Sequence, residues 1–342
     1  MILTDLETQA RRFGKAVNIA LIAGSLLVTT AAAEMLMRRI YVGQPFSWGW
    51  VGEFKNRPNL NFIPDELTGW RMRPSQDFSR MTEDVQHVYH SNSQGFRADA
   101  DFSPLDPRKK IALVGDSYTW GFGADFLQTF GALLQSKVSS RVVYNFAMPG
   151  FGIDQVWMSA RHQALSFKPD LVVAGIVDAD FERSLMPYRA AEGFNKPTFK
   201  LVNGQLVLRT REQPPGSLTH FLDQNSSILA VARHVPKWVG RKYPLGNYYR
   251  LNLSILQALL DDCNRNSVPV LFVYIPIKEF QPFPSLAAYM RRIHANYIDL
   301  TQLRPVPPHS IYLPRDGHLS PEGHRYVANL IDAWIRTNMP WL

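Results

Sequence analysis

Ile111-Ala112-Leu113-Val114-Gly115-Asp116-Ser117-Tyr118-Thr119-Trp120-Gly121 is the stretch that decides the fold. Four apolar, strand-favouring residues stop abruptly at Gly115-Asp116-Ser117. An amphipathic pattern then resumes at Phe126, Phe130, Leu133 and Leu134. An apolar run, a turn and a helical period describe a parallel strand that delivers a side chain to the C-terminal edge of an open α/β sheet, the edge at which such sheets bind ligands. A serine on that turn is a candidate nucleophile. Such a turn is expected to expose its hydroxyl, and the helix that follows favours negative charge at its N-terminus.

Working toward the C-terminus, Asp316-Gly317-His318-Leu319-Ser320-Pro321-Glu322-Gly323-His324 supplies a matching half. Ser320 suits an N-cap, Pro321 the first helical position and Glu322 the first turn. Val327, Leu330, Ile331, Trp334 and Ile335 form the apolar stripe of a final helix. His318 therefore lies in the loop before that helix, with Asp316 two residues upstream. A carboxylate beside an imidazole fixes its tautomer and stabilises the imidazolium formed when it takes a serine proton.

The intervening sequence alternates strands with helices. Strands are read at Arg141 to Ala147, Leu171 to Val177, Val268 to Ile275 and Tyr297 to Leu300. Helices are read near Asp154–Leu165, Asn247–Cys263, Ser285–His294 and Pro321–Thr337. This order predicts an α/β fold with a parallel five-stranded sheet and right-handed crossovers. Residues 181–246 are too long for an ordinary connection. Within them, Phe199 to Leu208 reads as a hairpin about an Asn203-Gly204 type I′ turn, ended by Pro214-Pro215-Gly216. This insertion leaves the sheet at the edge that carries Ser117, which suggests a β-hairpin cap that serves as a lid or acyl-chain groove, or else an interaction surface.

From about Ser91 onward the chain resembles the SGNH/GDSL hydrolase superfamily, esterases and acyltransferases on a flavodoxin-like α/β/α sheet. The first block of that family matches Gly115-Asp116-Ser117, the second Asn145-Phe146-Ala147-Met148-Pro149-Gly150 and the last Asp316 with His318. The resemblance implies Ser117 as nucleophile, His318 as base and Asp316 as its orienting acid. The N–H groups of Ser117 and Gly150 would be oxyanion donors, and Asp116 would shape the turn. The Asp-x-His spacing follows membrane-linked and polysaccharide-acetylating branches, where most of the family has Asp-x-x-His. His324 is a fallback base, otherwise a helix-surface residue. The third block departs from the pattern. Where a Gly-x-Asn-Asp-like Asn is expected, Val177-Asp178-Ala179-Asp180 leaves Asp178 and Asp180 at the oxyanion and substrate-binding position. A carboxylate donates only when protonated, and losing one oxyanion donor costs about 2.7–4 kcal/mol of transition-state stabilisation. Either another residue substitutes, the enzyme is slow, or the site no longer hydrolyses.

The resemblance implies a serine esterase acting on an O-acyl ester, of an O-acetylated glycan or a lipid, through an acyl-serine intermediate. The alternatives are an O-acyltransferase of cell-surface polysaccharide and a non-catalytic carbohydrate-binding or assembly protein on the same fold. No cofactor is expected. No Walker loop, dinucleotide glycine pattern or zinc spacing occurs. His87 and His90, three apart in a strand read at Val85 to Tyr89, would face opposite sides and are read as surface residues instead of a metal pair.

Outward to the N-terminus, residues 41–108 read as an irregular arm rich in Pro, Asn, Ser and aromatics. Asn92-Ser93-Gln94-Gly95-Phe96-Arg97 is assigned a structural role within it. Residues 1–40 hold a tail and an anchor, and 109–342 form the hydrolase-like domain. Ala16 to Ala33 carries no charge. Eighteen helical residues reach about 27 Å, enough for a thin bilayer. The segment 16–37 is therefore read as a single-pass anchor in the inner membrane. Arg11, Arg12 and Lys15 favour a cytoplasmic N-terminus and a periplasmic domain. A cleaved signal peptide ending near Ala31-Ala32-Ala33 is the rival. The 37 Lys and Arg against 29 Asp and Glu, a net charge of +8, are scattered; no stripe suited to nucleic acid forms. Cys263 is the only cysteine, so no intrachain disulfide can form.

Overall fold

The computed structural model describes residues 2–37, 61–186, 188–189, 194–209, 247–277, 286–303 and 309–342. The chain divides into two compact units, Met1–Glu53 with Pro214–Trp238, and Phe54–Gln213 with Val239–Leu342. Within the first unit, α1 (Ile2–Met37) is one continuous helix. Its segment Phe13–Leu36 is long and apolar enough to cross a membrane, with mean hydropathy 1.9, and none of it is buried. An anchor and a signal sequence both fit this helix. The basic Arg38 and Arg39 lie outside the described residues.

In the second unit the arm opens with two hairpins, β1 (Phe62–Asp65) with β2 (Gly69–Met72) and β3 (Asp77–Thr82) with β4 (Val85–His90). The α/β domain follows as β5 (Lys109–Val114), α2 (Ser117–Trp120), α3 (Phe130–Lys137), β6 (Arg141–Asn145), α4 (Ile153–His162), β7 (Leu171–Ile176) and α5 (Asp178–Arg183). After the short pair β8 (Tyr188–Arg189) and β9 (Phe194–Asn195) comes the hairpin β10 (Thr198–Val202) and β11 (Gln205–Arg209). The chain closes with α6 (Asn247–Arg265), β12 (Val270–Tyr274), α7 (Leu286–Arg292), β13 (Asn296–Asp299) and α8 (Pro321–Asn338).

The sheet order is β13-β12-β7-β5-β6, and every pairing is parallel. In order of appearance this is 2-1-3-4-5, the flavodoxin-like arrangement. The central strands bury both faces, and strand alternation sorts their side chains into two layers. Ile111, Leu113, Val173, Leu271 and Val273 pack with Phe130, Leu134, Val327 and Ile331 from α3 and α8. Ala112, Val114, Ala174 and Phe272 pack with Val156, Ile255 and Leu259 from α4 and α6. Three layers result.

Two elements differ from the sequence reading. The arm is less irregular than expected: Phe62, Trp70, Met72, Tyr89, Phe96 and Phe102 belong to the same core as the sheet. The described part of the insertion packs on the helical layer, where the Phe199 ring is 4.9 Å from Trp157. Asn203 and Gly204 both have positive φ, as a type I′ turn demands. Just before the hairpin, Lys196 forms an ion pair with Asp154 of α4, and both side chains are fully buried. Pro214-Pro215-Gly216 lies outside the described residues.

Candidate active site

β5 ends at Val114, and the chain turns so that Ser117 opens α2. The Asp116 carboxylate caps this helix, accepting from Tyr118 N–H at 3.0 Å. Gly121, at φ 94°, closes it. Gly115 is required by packing, since a Cβ there would collide with Thr119, as would one at Gly175 of β7. The fully buried Arg97 holds the turn from below. It donates to the carbonyls of Gly121 (2.6 Å), Ala124 (2.7 Å) and Trp120 (3.2 Å), and stacks on Tyr89 and Trp120 at 4.7 Å. Burial lowers its pKa to about 10, so it remains a cation.

The second half comes from the loop before α8. Leu313 N–H donates to His318 O at 2.7 Å, and Gly317 takes φ 86°. Ser320 caps α8 by accepting from Gly323 N–H, and Pro321 is its first residue. Tyr118 OH donates to Gly317 O at 3.0 Å, tying the two halves together. The His318 ring sits 4.6 Å from Tyr118 and 4.7 Å from Phe122.

These elements bring Ser117, His318 and Asp316 together. Ser117 Oγ is 2.8 Å from His318 Nε2, and His318 Nδ1 is hydrogen-bonded to Asp316 Oδ1. Burial opposes ionisation of Asp316. The hydrogen bond and charge of His318, with a lesser contribution from Arg80, outweigh it and hold the carboxyl below the ordinary range. An ionised Asp316 keeps the proton on Nδ1 and leaves Nε2 free to accept from the Ser117 hydroxyl. Gly150 adopts φ 82°. Among the described residues, neither Gly150 N–H nor Ser117 N–H donates to a backbone acceptor.

Asp178 and Asp180 have other engagements. Asp178 accepts from Tyr274 OH at 2.6 Å and from Ile277 N–H at 3.4 Å. Asp180 accepts from Val177 N–H and from Arg183, each at 3.0 Å. Burial and the nearby Asp116 raise the Asp180 pKa well above the carboxylate range. Arg183 bridges the group, donating through one nitrogen also to Asp116 Oδ2 at 2.9 Å and Phe151 O at 3.1 Å. It offsets the carboxylate that lies 3.4 Å from Ser117 Oγ.

Two histidines are not where the sequence put them. His324, read as a helix-surface residue, is completely buried, and its Nδ1 accepts from Phe130 N–H at 3.3 Å. Position 324 continues the stripe of Val327, Ile331 and Ile335, so helical register carries it into the core. Burial first, then the charges of Arg97 and His318, lower its pKa to about 3. No described hydrogen bond joins it to Ser117. His87, also read as surface, is buried against Tyr89, with Nδ1 2.9 Å from Asp125 Oδ1; His90 on the opposite face is exposed.

Sequence reasoning missed Glu83, which grips the loop before His318. It accepts from Arg315 N–H (2.6 Å), Asp316 N–H (2.8 Å) and Arg315 Nε (2.9 Å), while Asp84 accepts from Arg315 Nη2. Those bonds, above all the one from the Arg315 side chain, lower the Glu83 pKa. Glu83 and Asp84 form the β3–β4 turn with φ 52° and 64°, conformations that residues with a Cβ rarely adopt. That their carboxylates meet a loop more than 200 positions away leaves no periodic signal in either segment.

A serine-bearing turn after the first strand of a 2-1-3-4-5 sheet, faced by a histidine from the last loop, defines the three-layer hydrolase class of the GDSL type. The chain belongs to the GDSL-like lipase/acylhydrolase family, whose model matches residues 111–331. No curated protein matches it significantly. Among solved structures it is similar to a member of the lipolytic protein G-D-S-L family from Veillonella parvula, at 11% identity and TM-score 0.41, covering 68% of this chain and 100% of that one. A psychrotrophic esterase, EstA, from Pseudoalteromonas sp. is similar at 12% identity and TM-score 0.40, covering 67% and 97%. A GDSL-like lipase from Bacteroides thetaiotaomicron is similar at 12% identity and TM-score 0.40, covering 70% and 93%.

Proposed function

We propose that the protein is a serine esterase acting on an O-acyl carboxylic ester of a glycan or lipid. Ser117 attacks the carbonyl as His318 takes its proton. His318 then protonates the leaving alcohol, and water reverses the sequence on the acyl-serine. Asp316 holds the tautomer throughout. The open N–H groups of Ser117 and Gly150 receive the oxyanion. Asp178 and Asp180 belong to the buried support of the site, so two donors carry the charge where three are usual, and turnover is slow. The observation that carries this reading is the 2.8 Å approach of Ser117 Oγ to His318 Nε2, with Asp316 on the other ring nitrogen. Residues 16–37 anchor the chain in the inner membrane with its domain in the periplasm, a reading supported by Arg11, Arg12 and Lys15 before the apolar segment.

A fluorophosphonate probe tests the esterase reading. The purified chain should become labelled, and both Ser117→Ala and His318→Ala should abolish labelling. Undiminished labelling of Ser117→Ala, or none in the wild type, would overturn the assignment.

A further inference from the structure

β3 and β4 turn one face inward. Strand alternation places Phe78, Arg80 and Thr82 on that face, opposite Tyr89, His87 and Val85 of the partner strand. Phe78 stacks toward Trp120, Tyr89 packs between Trp120 and Phe122, and Thr82 and His87 are buried. Arg80 breaks this apolar pattern. It is exposed despite its inward register. Its guanidinium lies 5.2 Å from the centroid of Phe122, and the Phe122 ring is itself 4.7 Å from His318.

The neighbouring charges do not satisfy Arg80. Glu83 and Asp84 are taken by Arg315, Asp125 by His87, and Asp316 by His318. Among the described residues no carboxylate lies within ion-pairing distance of the Arg80 guanidinium. An exposed arginine whose guanidinium lies over an aromatic ring and has no carboxylate partner offers N–H donors to a bidentate anion.

We infer that Arg80, over the Phe122 ring that packs beside His318, selects ester substrates that carry a carboxylate or similar anion near the scissile bond. The inference rests on the esterase reading of the same site. It narrows the substrate to acidic esters, in which the anion sits either on the acyl group or on the alcohol.

Matched ester pairs test it with the full chain in detergent. 4-Acetoxybenzoate against its methyl ester places the anion on the alcohol side. 4-Nitrophenyl hemisuccinate against 4-nitrophenyl butyrate places it on the acyl side. The wild type should prefer the anionic member of at least one pair, identifying the side. Arg80→Gln should cut that kcat/KM ratio about tenfold, the worth of a charge-assisted pair of about 1.4 kcal/mol, mainly through the KM of the anionic ester. Arg80→Lys should restore part of it, and rising salt should shrink it. A wild type without preference in either pair would overturn the proposal. So would an Arg80→Gln chain that loses equally on both members, which would assign Arg80 to the support of Asp316. Saturation-transfer NMR of 4-acetoxybenzoate and its methyl ester on the Ser117→Ala chain reads binding without turnover. Preference for the anion there, lost in Arg80→Gln, supports the proposal even if the chain turns over no ester, a result that would count against the esterase reading alone.

Discussion

His324 should make the domain acid-sensitive without taking part in the chemistry. In the unfolded chain an imidazole titrates near its ordinary pKa of about 6.5; in the fold, burial and the charges of Arg97 and His318 take it to about 3. Between those values protons bind the unfolded chain alone, so stability is lost as pH falls below about 6.5 and the loss levels off near pH 3. From pH 7 to pH 5 this one residue costs about 2 kcal/mol by that linkage. His324→Asn removes the titration and retains an oxygen able to accept from Phe130 N–H, as Nδ1 does. Urea titrations of wild type and variant at pH 7 and pH 5, followed by tryptophan fluorescence, read the difference. The wild type should lose about 2 kcal/mol more than the variant over that interval. The variant should still cleave a short aryl ester, whereas His318→Asn should not. Equal losses in the two proteins, or an imidazole resonance of His324 titrating near pH 6.5, would refute the reasoning.

Replacing the β3–β4 turn by Asn-Gly, through Glu83→Asn with Asp84→Gly, should raise Tm by relieving two positive-φ residues and lower kcat about tenfold by freeing the Arg315–Asp316 loop; thermal scans and ester kinetics read both, and unchanged kcat would deny the turn a positioning role. Lys196→Met should destabilise the domain by about 3–5 kcal/mol, because the fully buried Asp154, whose pKa burial already raises, would lose its cation and have to stay charged and unpaired or take up a proton. Adding Asp154→Asn should recover much of that loss. A melting temperature unmoved by Lys196→Met would mean that the pair contributes nothing to the docking of the hairpin.

The parts of this structure legible in sequence are those that local physics dictates. Ile111 to Val114 could be read as a strand because its burial on both faces requires an unbroken apolar run. Ser320-Pro321 announced α8 because a helix start needs an acceptor for its free N–H groups and tolerates a missing one. Asn203-Gly204 announced a hairpin because two successive positive-φ residues are otherwise costly. The histidines were misplaced for a related reason: His324 and His87 lie in apolar register, on the α8 stripe and on the inner face of β4, and their polarity was weighted above their position. At these two positions burial follows register, and at His324 it lowers the pKa of the ring.

The supports of the site were illegible for a different reason. Arg97, Glu83 and Arg183 act through clusters of hydrogen bonds that reach other elements, and no periodicity or spacing encodes a partner that arrives from another element. Arg97 lies in the segment Asn92 to Arg97, to which the sequence assigns a structural role without naming a partner, whereas Glu83 and Arg183 belong to segments that read as filler: a two-residue turn and the end of a six-residue helix. Together they hold the segments that bring Ser117, His318 and Asp316 together. Arg97 fixes the carbonyls below the Ser117 helix, Glu83 fixes the backbone at Asp316, and Arg183 offsets the charge of Asp116 beside Ser117. The arm of residues 62–106 is thus as much a part of the site as the strand that carries Ser117. A hydrolase domain cut at residue 109 would keep Ser117, His318 and Asp316 in its sequence and lose the residues that hold two of its loops in place.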